Sequence, residues 1–286
     1  MTHDTGSRSG SSALGTVAPA SVTPARWRRR WNAWGGTTFT AVIAFFVLWE
    51  LVVFVFEIPR YIVPAPSAVF RQFVRNFPLI WKYTLVTAGE TSVGYVIAVV
   101  IGVPLSMLVA FSPFLERTLY PSAVALEMVP KIAFAPIFVT WFGFGFPPKM
   151  IIVFMVCFFP ILLNGMLAFR SLSMDLVHFS RSTGADPWTM FWRIRAPAAL
   201  PQMFVGLKGA ATNATVGAVI SEWIGGDAGL GYYLQIASGD LRTDLAFGII
   251  FMLAVLGLAL FYTVTWIERL LIPWHISQRV VRQAGP

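Results

Sequence analysis

Apolar residues along the 286-residue chain do not alternate with polar ones. They gather into runs of about twenty, each long enough to cross the hydrocarbon core of a bilayer as a helix. The runs lie at roughly 38–56, 86–111, 119–141, 149–169, 205–225 and 246–267. Unpaired backbone groups are costly in hydrocarbon, so each run is expected to be helical. The pattern predicts an all-α integral membrane protein with about six transmembrane helices. Between the first two runs, the stretch from Pro64 to Lys82 predicts a short amphipathic helix after Pro66-Ser67. Ser67 is its expected N-cap. Val69, Phe70, Phe73 and Val74 would share one face, suited to the plane of the membrane interface. Residues 1–25 are rich in Ser, Gly, Thr, Ala and Pro without apolar periodicity and are expected to be a disordered tail. They lack the apolar core and cleavage site of a signal peptide. Residues 26–286 then form one membrane domain.

Composition supports that picture. Hydrophobic residues make up 57% of the chain and charged residues 12%, with mean hydropathy +0.71. A water-soluble domain carries about 25% charge, so lipid must solvate much of this surface. The net charge of +8 would suggest nucleic acid in a soluble protein. Here the basic residues border the apolar runs, as the positive-inside rule requires, and no nucleic-acid partner is expected. Arg26, Arg28, Arg29 and Arg30 precede the first run. Arg170, Arg181, Arg193 and Arg195 outweigh Asp175 and Asp186 between runs four and five. Asp227, Asp240 and Asp244 outweigh Arg242 between runs five and six. Both termini and the fourth connection are therefore expected in the cytoplasm, with the fifth connection outside. The basic connection at 57–85 runs against this alternation. Cys157 is the one cysteine, and His3, His178 and His275 lie far apart. Neither a disulfide nor a metal site is expected.

The fourth connection carries the informative chemistry. Asp175 can cap a short helix running to about Thr183. Gly184 suits the position after a helix end, where φ is often positive. Asp186 is an N-cap candidate and Pro187 suits the first turn. The helix that follows would place Trp188, Phe191 and Trp192 on one face, with Arg193 and Arg195 after them and Pro197 as its stop. A connection without a partner has no reason to display such dense aromatic surface, although folding back onto the bundle or the lipid interface would also account for it.

The run GADPWTMFWRIRAPAALP, Gly184 to Pro201, resembles the cytoplasmic signature loop of bacterial ABC-importer permeases, the EAA loop. Gly184 matches its glycine, Ile194 its aliphatic position and Pro197 its proline. The resemblance covers roughly residues 64–272. It includes VPAPSAVF from Val63, PKIAFAPIFVTWFGFG from Pro130 and ISEWIGGDAGLGYYL from Ile220, and it is similar to the branch serving nitrate, sulfonates, taurine and thiamine- or riboflavin-related precursors. It implies that Ala185 to Arg193 form a coupling helix docking on an ATP-binding subunit. It also implies an external solute-binding protein at the mouth near Gly225, Gly226, Gly229 and Gly231. The sequence departs from the pattern at His178-Phe179-Ser180, where Glu-Ala-Ala is usual, and at Ala196, where leucine precedes the proline. The acid of the usual ATPase contact is thus absent.

Polar groups inside spans are costly and mark candidates for the solute pathway. They include Glu50, Glu90, Glu127, Lys131, Asn164, Lys208, Asn213 and Glu222. Glu127 and Lys131 are four apart and can pair on one helical face. Pro130 and Pro136 are expected to break or kink the third span and expose backbone groups to solute. Asn213 and Glu222 lie among Gly206, Gly209, Ala210, Ala211, Ala214, Gly217 and Ala218, a stripe that permits close helix packing. The pathway set is thus Glu127, Pro130, Lys131, Pro136, Asn164, Asn213 and Glu222.

The chain lacks the GxxxxGK[ST] phosphate cradle. ATP and Mg are therefore expected on partner ATPase subunits, and this chain is expected to be no enzyme. A second copy of the permease and surrounding membrane lipid complete the expected partners. The histidines are not placed for an intramembrane protease. A stand-alone secondary transporter or channel is the alternative reading. Residues 130–145 lean the solute toward an aromatic vitamin precursor.

Overall fold

A computed structural model describes residues 24–170, 182, 184 and 186–274, and among them the regular structure is helical with no strand. Residues 1–23 of the expected tail, Asp175 with the helix it would cap, Ala185, and Arg279 and Arg282 near the C-terminus lie outside the described residues. The chain divides into two compact units, 1–52 and 53–286. The first is supplied by α1 (Pro24–Val55), whose apolar part is Phe39–Val55.

The second unit begins with α2 (Pro66–Arg75) and α3 (Phe77–Phe111). Ser67 is not the cap of α2. Ala65 holds that position with φ −67° and ψ 141°, and Pro66 starts the helix, because proline has the helical φ built in and no N–H to satisfy. Nor does the apolar face of α2 lie wholly toward lipid. Phe73 packs on Gly248 and Phe251, its ring centroid 5.8 Å from the latter, while Phe70 and Val74 are exposed.

The remaining elements are α4 (Pro113–Met128), a 3₁₀ turn (Lys131–Phe134), α5 (Ala135–Phe142), α6 (Phe146–Arg170), α7 (Pro187–Met190), a π-turn (Phe191–Arg195), α8 (Ala196–Gly225), α9 (Leu230–Gly239) and α10 (Thr243–Leu271). All six apolar runs fall on helices. Among the described residues four helices are long and apolar enough to cross a membrane, and the third run is a pair bent by 74° at the break between Met128 and Lys131. Helix α3 starts nine residues earlier than its apolar run, at Phe77 rather than 86, because helix continues beyond the hydrocarbon wherever its flanks tolerate it.

Three helices, α3, α6 and α8, make the main core around Tyr95, Ala98, Val153, Cys157, Ala210 and Ala214. Small residues let them close. A Cβ on Gly206 would lie 2.4 Å from Asn164 Cβ, and one on Gly94 2.7 Å from Val153 Cβ. A second cluster joins the start of α3 to α9 and α10 through Ile80, Leu230, Tyr233, Leu245 and Ile249. A third joins α4 to α3 and α6 through Val109, Ala123, Leu162 and Met166. Many large apolar side chains, among them Val96, Val100, Phe251 and Leu258, stay exposed in the isolated chain. That is the surface a lipid-facing protein presents.

Candidate functional site

The break in the third span is built around its charged pair. Helix α4 ends at Met128, and Val129 (φ −69°, ψ 129°) turns the chain out of the helix before Pro130. The pair expected on one helical face forms across this break instead. Lys131 Nζ lies 2.7 Å from Glu127 Oε2 and donates to the Glu127 carbonyl at 2.9 Å. The ammonium therefore also caps the C-terminus of α4, where partial negative charge collects. It sits 5.2 Å from the centre of the Phe159 ring. Pro136 causes no kink; it occupies the first turn of α5. From the break, Phe134, Phe138 and Trp141 form a ladder of ring contacts, with centroids 6.1 Å apart at each step.

The other pathway candidates separate. Asn164 donates to the Pro160 carbonyl at 2.8 Å and packs on Gly206, so it serves the α6–α8 crossing. Asn213 is exposed on α8, on the turn whose Thr212 and Val216 line an open apolar groove against α10. Glu222 is enclosed within the chain. It is fully buried, its Oε1 accepting the Thr87 hydroxyl at 2.7 Å and its Oε2 the Gly231 N–H. The glycine-rich turn after α8 folds onto it and buries both its oxygens.

Sequence reasoning missed Lys149, which appeared only as the first residue of an apolar run. Its ammonium is buried, 2.9 Å from Glu90 Oε1, 3.4 Å from Asp227 Oδ1 and 3.1 Å from the Ala228 carbonyl. It also missed Glu268, which holds Lys208 at 3.0 Å between α8 and α10. The available signal was arithmetic: a carboxylate in an apolar run requires a cation, wherever in the sequence that cation lies.

At the other end of α8 lies the segment expected to couple. Gly184 has φ +75°, as a position after a helix end demands. Asp186 Oδ2 accepts the N–H groups of Trp188 at 3.1 Å and Thr189 at 3.0 Å, capping α7. The Thr189 side chain, followed by the Thr189 and Trp188 amides, holds the Asp186 carboxyl below the usual carboxylate range. Pro187 begins the helix.

Pro197 does not stop it. The π-turn carries helix onward, so that Trp188–Gly225 is continuous over 38 residues. Pro197 sits in the first turn of α8. Its ring would clash with the carbonyl four residues back in a regular helix. That carbonyl belongs to Arg193, and the wider π-turn makes the room. The aromatic face also divides. Phe191 is 2% exposed, its ring 4.1 Å from Phe111 and 5.6 Å from Phe169. Trp188 and Trp192 remain 63% and 49% exposed. Arg193 is exposed and Ile194 half-buried. Phe191 thus anchors the segment to the bundle while the two tryptophans and Arg193 face outward.

Residues 102–274 match the family described as binding-protein-dependent transport system inner membrane component. The chain is 32% identical over 233 residues to the riboflavin transport system permease protein RibX of Chloroflexus aurantiacus, covering 81% of this chain and 87% of that protein. It is 31% identical over 252 residues to the formylaminopyrimidine transport permease protein ThiX of Halalkalibacterium halodurans, covering 88% of this chain and 100% of that protein. A solved structure of the MetNI methionine ABC transporter in inward-facing conformations shares the fold, with TM-score 0.58 at 18% identity over 68% of this chain and 97% of the matched chain.

Proposed function

The chain belongs to the binding-protein-dependent transport system inner membrane component family and is the permease subunit of an ATP-binding-cassette importer of small solutes; from that premise we propose that its solute is a flat heterocycle of the vitamin-precursor type. One observation carries the choice. The broken third span lines its bend with the Phe134–Phe138–Trp141 ladder, and the neighbouring Lys131 is already neutralised by Glu127. Lys149 and Lys208 are likewise matched by Glu90 and Glu268. A sulfonate or nitrate would draw on a free cation, whereas a planar ring system stacks on aromatic faces without one. The relatives named for riboflavin and formylaminopyrimidine transport point the same way.

In this reading two copies of the chain form the pore, as closed two-fold symmetry favours. Separate ATPase subunits bind ATP and Mg and dock on Trp188, Trp192 and Arg193 at the α7 end. A solute-binding protein delivers from the opposite side, and both termini lie on the ATPase side. Closure of the ATPases moves α7, and the two permeases rock between inward- and outward-open arrangements. The test is uptake into proteoliposomes holding the permease with its ATPase and binding protein. ATP-dependent accumulation of labelled riboflavin or an aminopyrimidine, with none of taurine or nitrate, is expected. Accumulation of the anions instead would overturn the solute assignment.

A further inference from the structure

The outer end of α8 contains a charge cluster whose arithmetic does not close. Two carboxylates, Glu90 on α3 and Glu222 on α8, are both buried. They meet around one glycine turn: Thr87, a turn before Glu90 on α3, donates to Glu222, while Lys149 ties Glu90 to the Ala228 carbonyl beside Gly229, which packs on Glu222. One ammonium, Lys149 on α6, serves them, and its contacts are Glu90 Oε1, Asp227 Oδ1 and the Ala228 carbonyl. Asp227 is 70% exposed, so water solvates its charge. The remaining two glutamates against one lysine would leave an uncompensated negative charge in the protein interior, which is strongly unfavourable.

The hydrogen bonds point to where the discrepancy is resolved. Both Glu222 oxygens accept: Oε1 from the Thr87 hydroxyl, Oε2 from the Gly231 amide. Thr87 Oγ1 in turn accepts the Leu230 N–H at 2.8 Å. These donors hold Glu222 as a carboxylate. The backbone comes so near that a Cβ on Gly229 would sit 2.1 Å from Glu222 Oε1. Glu90 is different. Its Oε1 takes the lysine, while Oε2 is buried with no donor among the described residues. An acceptor oxygen buried without a donor is rare in native structures.

We infer that Glu90 and Glu222 share a single proton, carried on Glu90 and donated to Glu222, so that the cluster binds one proton as a structural ligand. With it, Lys149 and the pair sum to zero, and the orphan oxygen becomes a donor to the neighbouring carboxylate. Two carboxylates sharing one site are expected to hold one proton between them. The proton then acts as a positioning element. It lets α3 and α8 bring their carboxyl groups together, and the glycine turn at 226–231 folds over the result. The inference is independent of which solute is carried.

The experiment is infrared spectroscopy of the full permease–ATPase complex in lipid at neutral pH, in H₂O and D₂O, with glutamate carboxyl carbons labelled by ¹³C. The expected result is a protonated-acid carbonyl band that shifts with the label and with deuterium. It should be lost in Glu90→Gln, whose amide keeps the donor, and in Glu222→Gln, where Glu90 is left with Lys149 alone. Should either variant fail to fold, the labelled wild-type protein still decides the matter. Absence of an isotope-sensitive acid band there overturns the inference, as does a band that persists unchanged in a folded variant.

Discussion

Replacing Phe191 by alanine should damage the protein differently from replacing the tryptophans beside it. Phe191 is buried and in ring contact with Phe111 and Phe169. Removing a buried phenylalanine forfeits roughly 2–3 kcal/mol of apolar burial. Each of the two ring pairs adds roughly 0.5–1.5 kcal/mol. The sum, about 3–6 kcal/mol, overlaps the range of about 3–5 kcal/mol for Phe→Ala in packed cores. Trp188 and Trp192 are largely exposed, and their alanine variants should cost under about 1 kcal/mol.

The assay has two readouts: thermal melting of the purified complex in detergent, and capture of the ATPase by the tagged permease. Phe191→Ala should melt well below wild type, with Phe191→Leu in between. Trp188→Ala/Trp192→Ala should melt near wild type yet lose ATPase capture and ATP-driven uptake. Wild-type melting of Phe191→Ala would refute the anchor. Full ATPase capture by the folded double tryptophan variant would refute the docking surface.

Two further outcomes follow from the geometry. Gly206→Val should separate α6 from α8, because even a Cβ there meets Asn164 Cβ at 2.4 Å; a loss of about 1–3 kcal/mol, partly recovered by Asn164→Ala, would appear as a lower melting temperature followed by partial rescue. The Asp186 cap should weaken in acid: its carboxyl lies below the ordinary range, so its contribution is complete above that range and declines as pH falls through the depressed value. The protection of the Trp188 and Thr189 amides, their exchange measured against the intrinsic rate at each pH, should fall accordingly in acid, and stay level with pH in Asp186→Asn.

The apolar runs were legible as helices because lipid imposes a length and an apolar composition that the sequence must write out residue by residue, and four of them, or five with the bent pair, are long and apolar enough to cross. Asp186 and Gly184 were legible for a similar reason, since capping and left-handed backbone are local demands. What sequence reasoning missed depends on distant partners. Phe191 and Trp188 are the same kind of residue three positions apart, and only the placement of Phe111 and Phe169 decides which is anchor and which is surface. Glu222 reads as a pathway acid until Thr87 on α3 and Gly231 after α8 are seen to enclose it. Pro197 reads as a stop because proline usually is one; the π-turn that accommodates it has no simple sequence signature. The Glu127–Lys131 pair formed, but as a cap at a break, because Val129 leaves the helix between the two.

The unbroken run from Trp188 to Gly225 gives the molecule a lever. At 38 residues the rod is about 57 Å long. One end carries the exposed tryptophans, and the other carries Glu222 and the glycine turn. Lever arms convert small rotations into large strokes: a tilt of about 5° about one end sweeps the other through about 5 Å, a full helical turn. The π-turn lies close to the α7 end, so its compliance leaves Ala196–Gly225, 30 residues, as the stiff arm. Force applied at α7 would therefore reach the far side of the bundle through that arm, without a relay of side chains to tune in between.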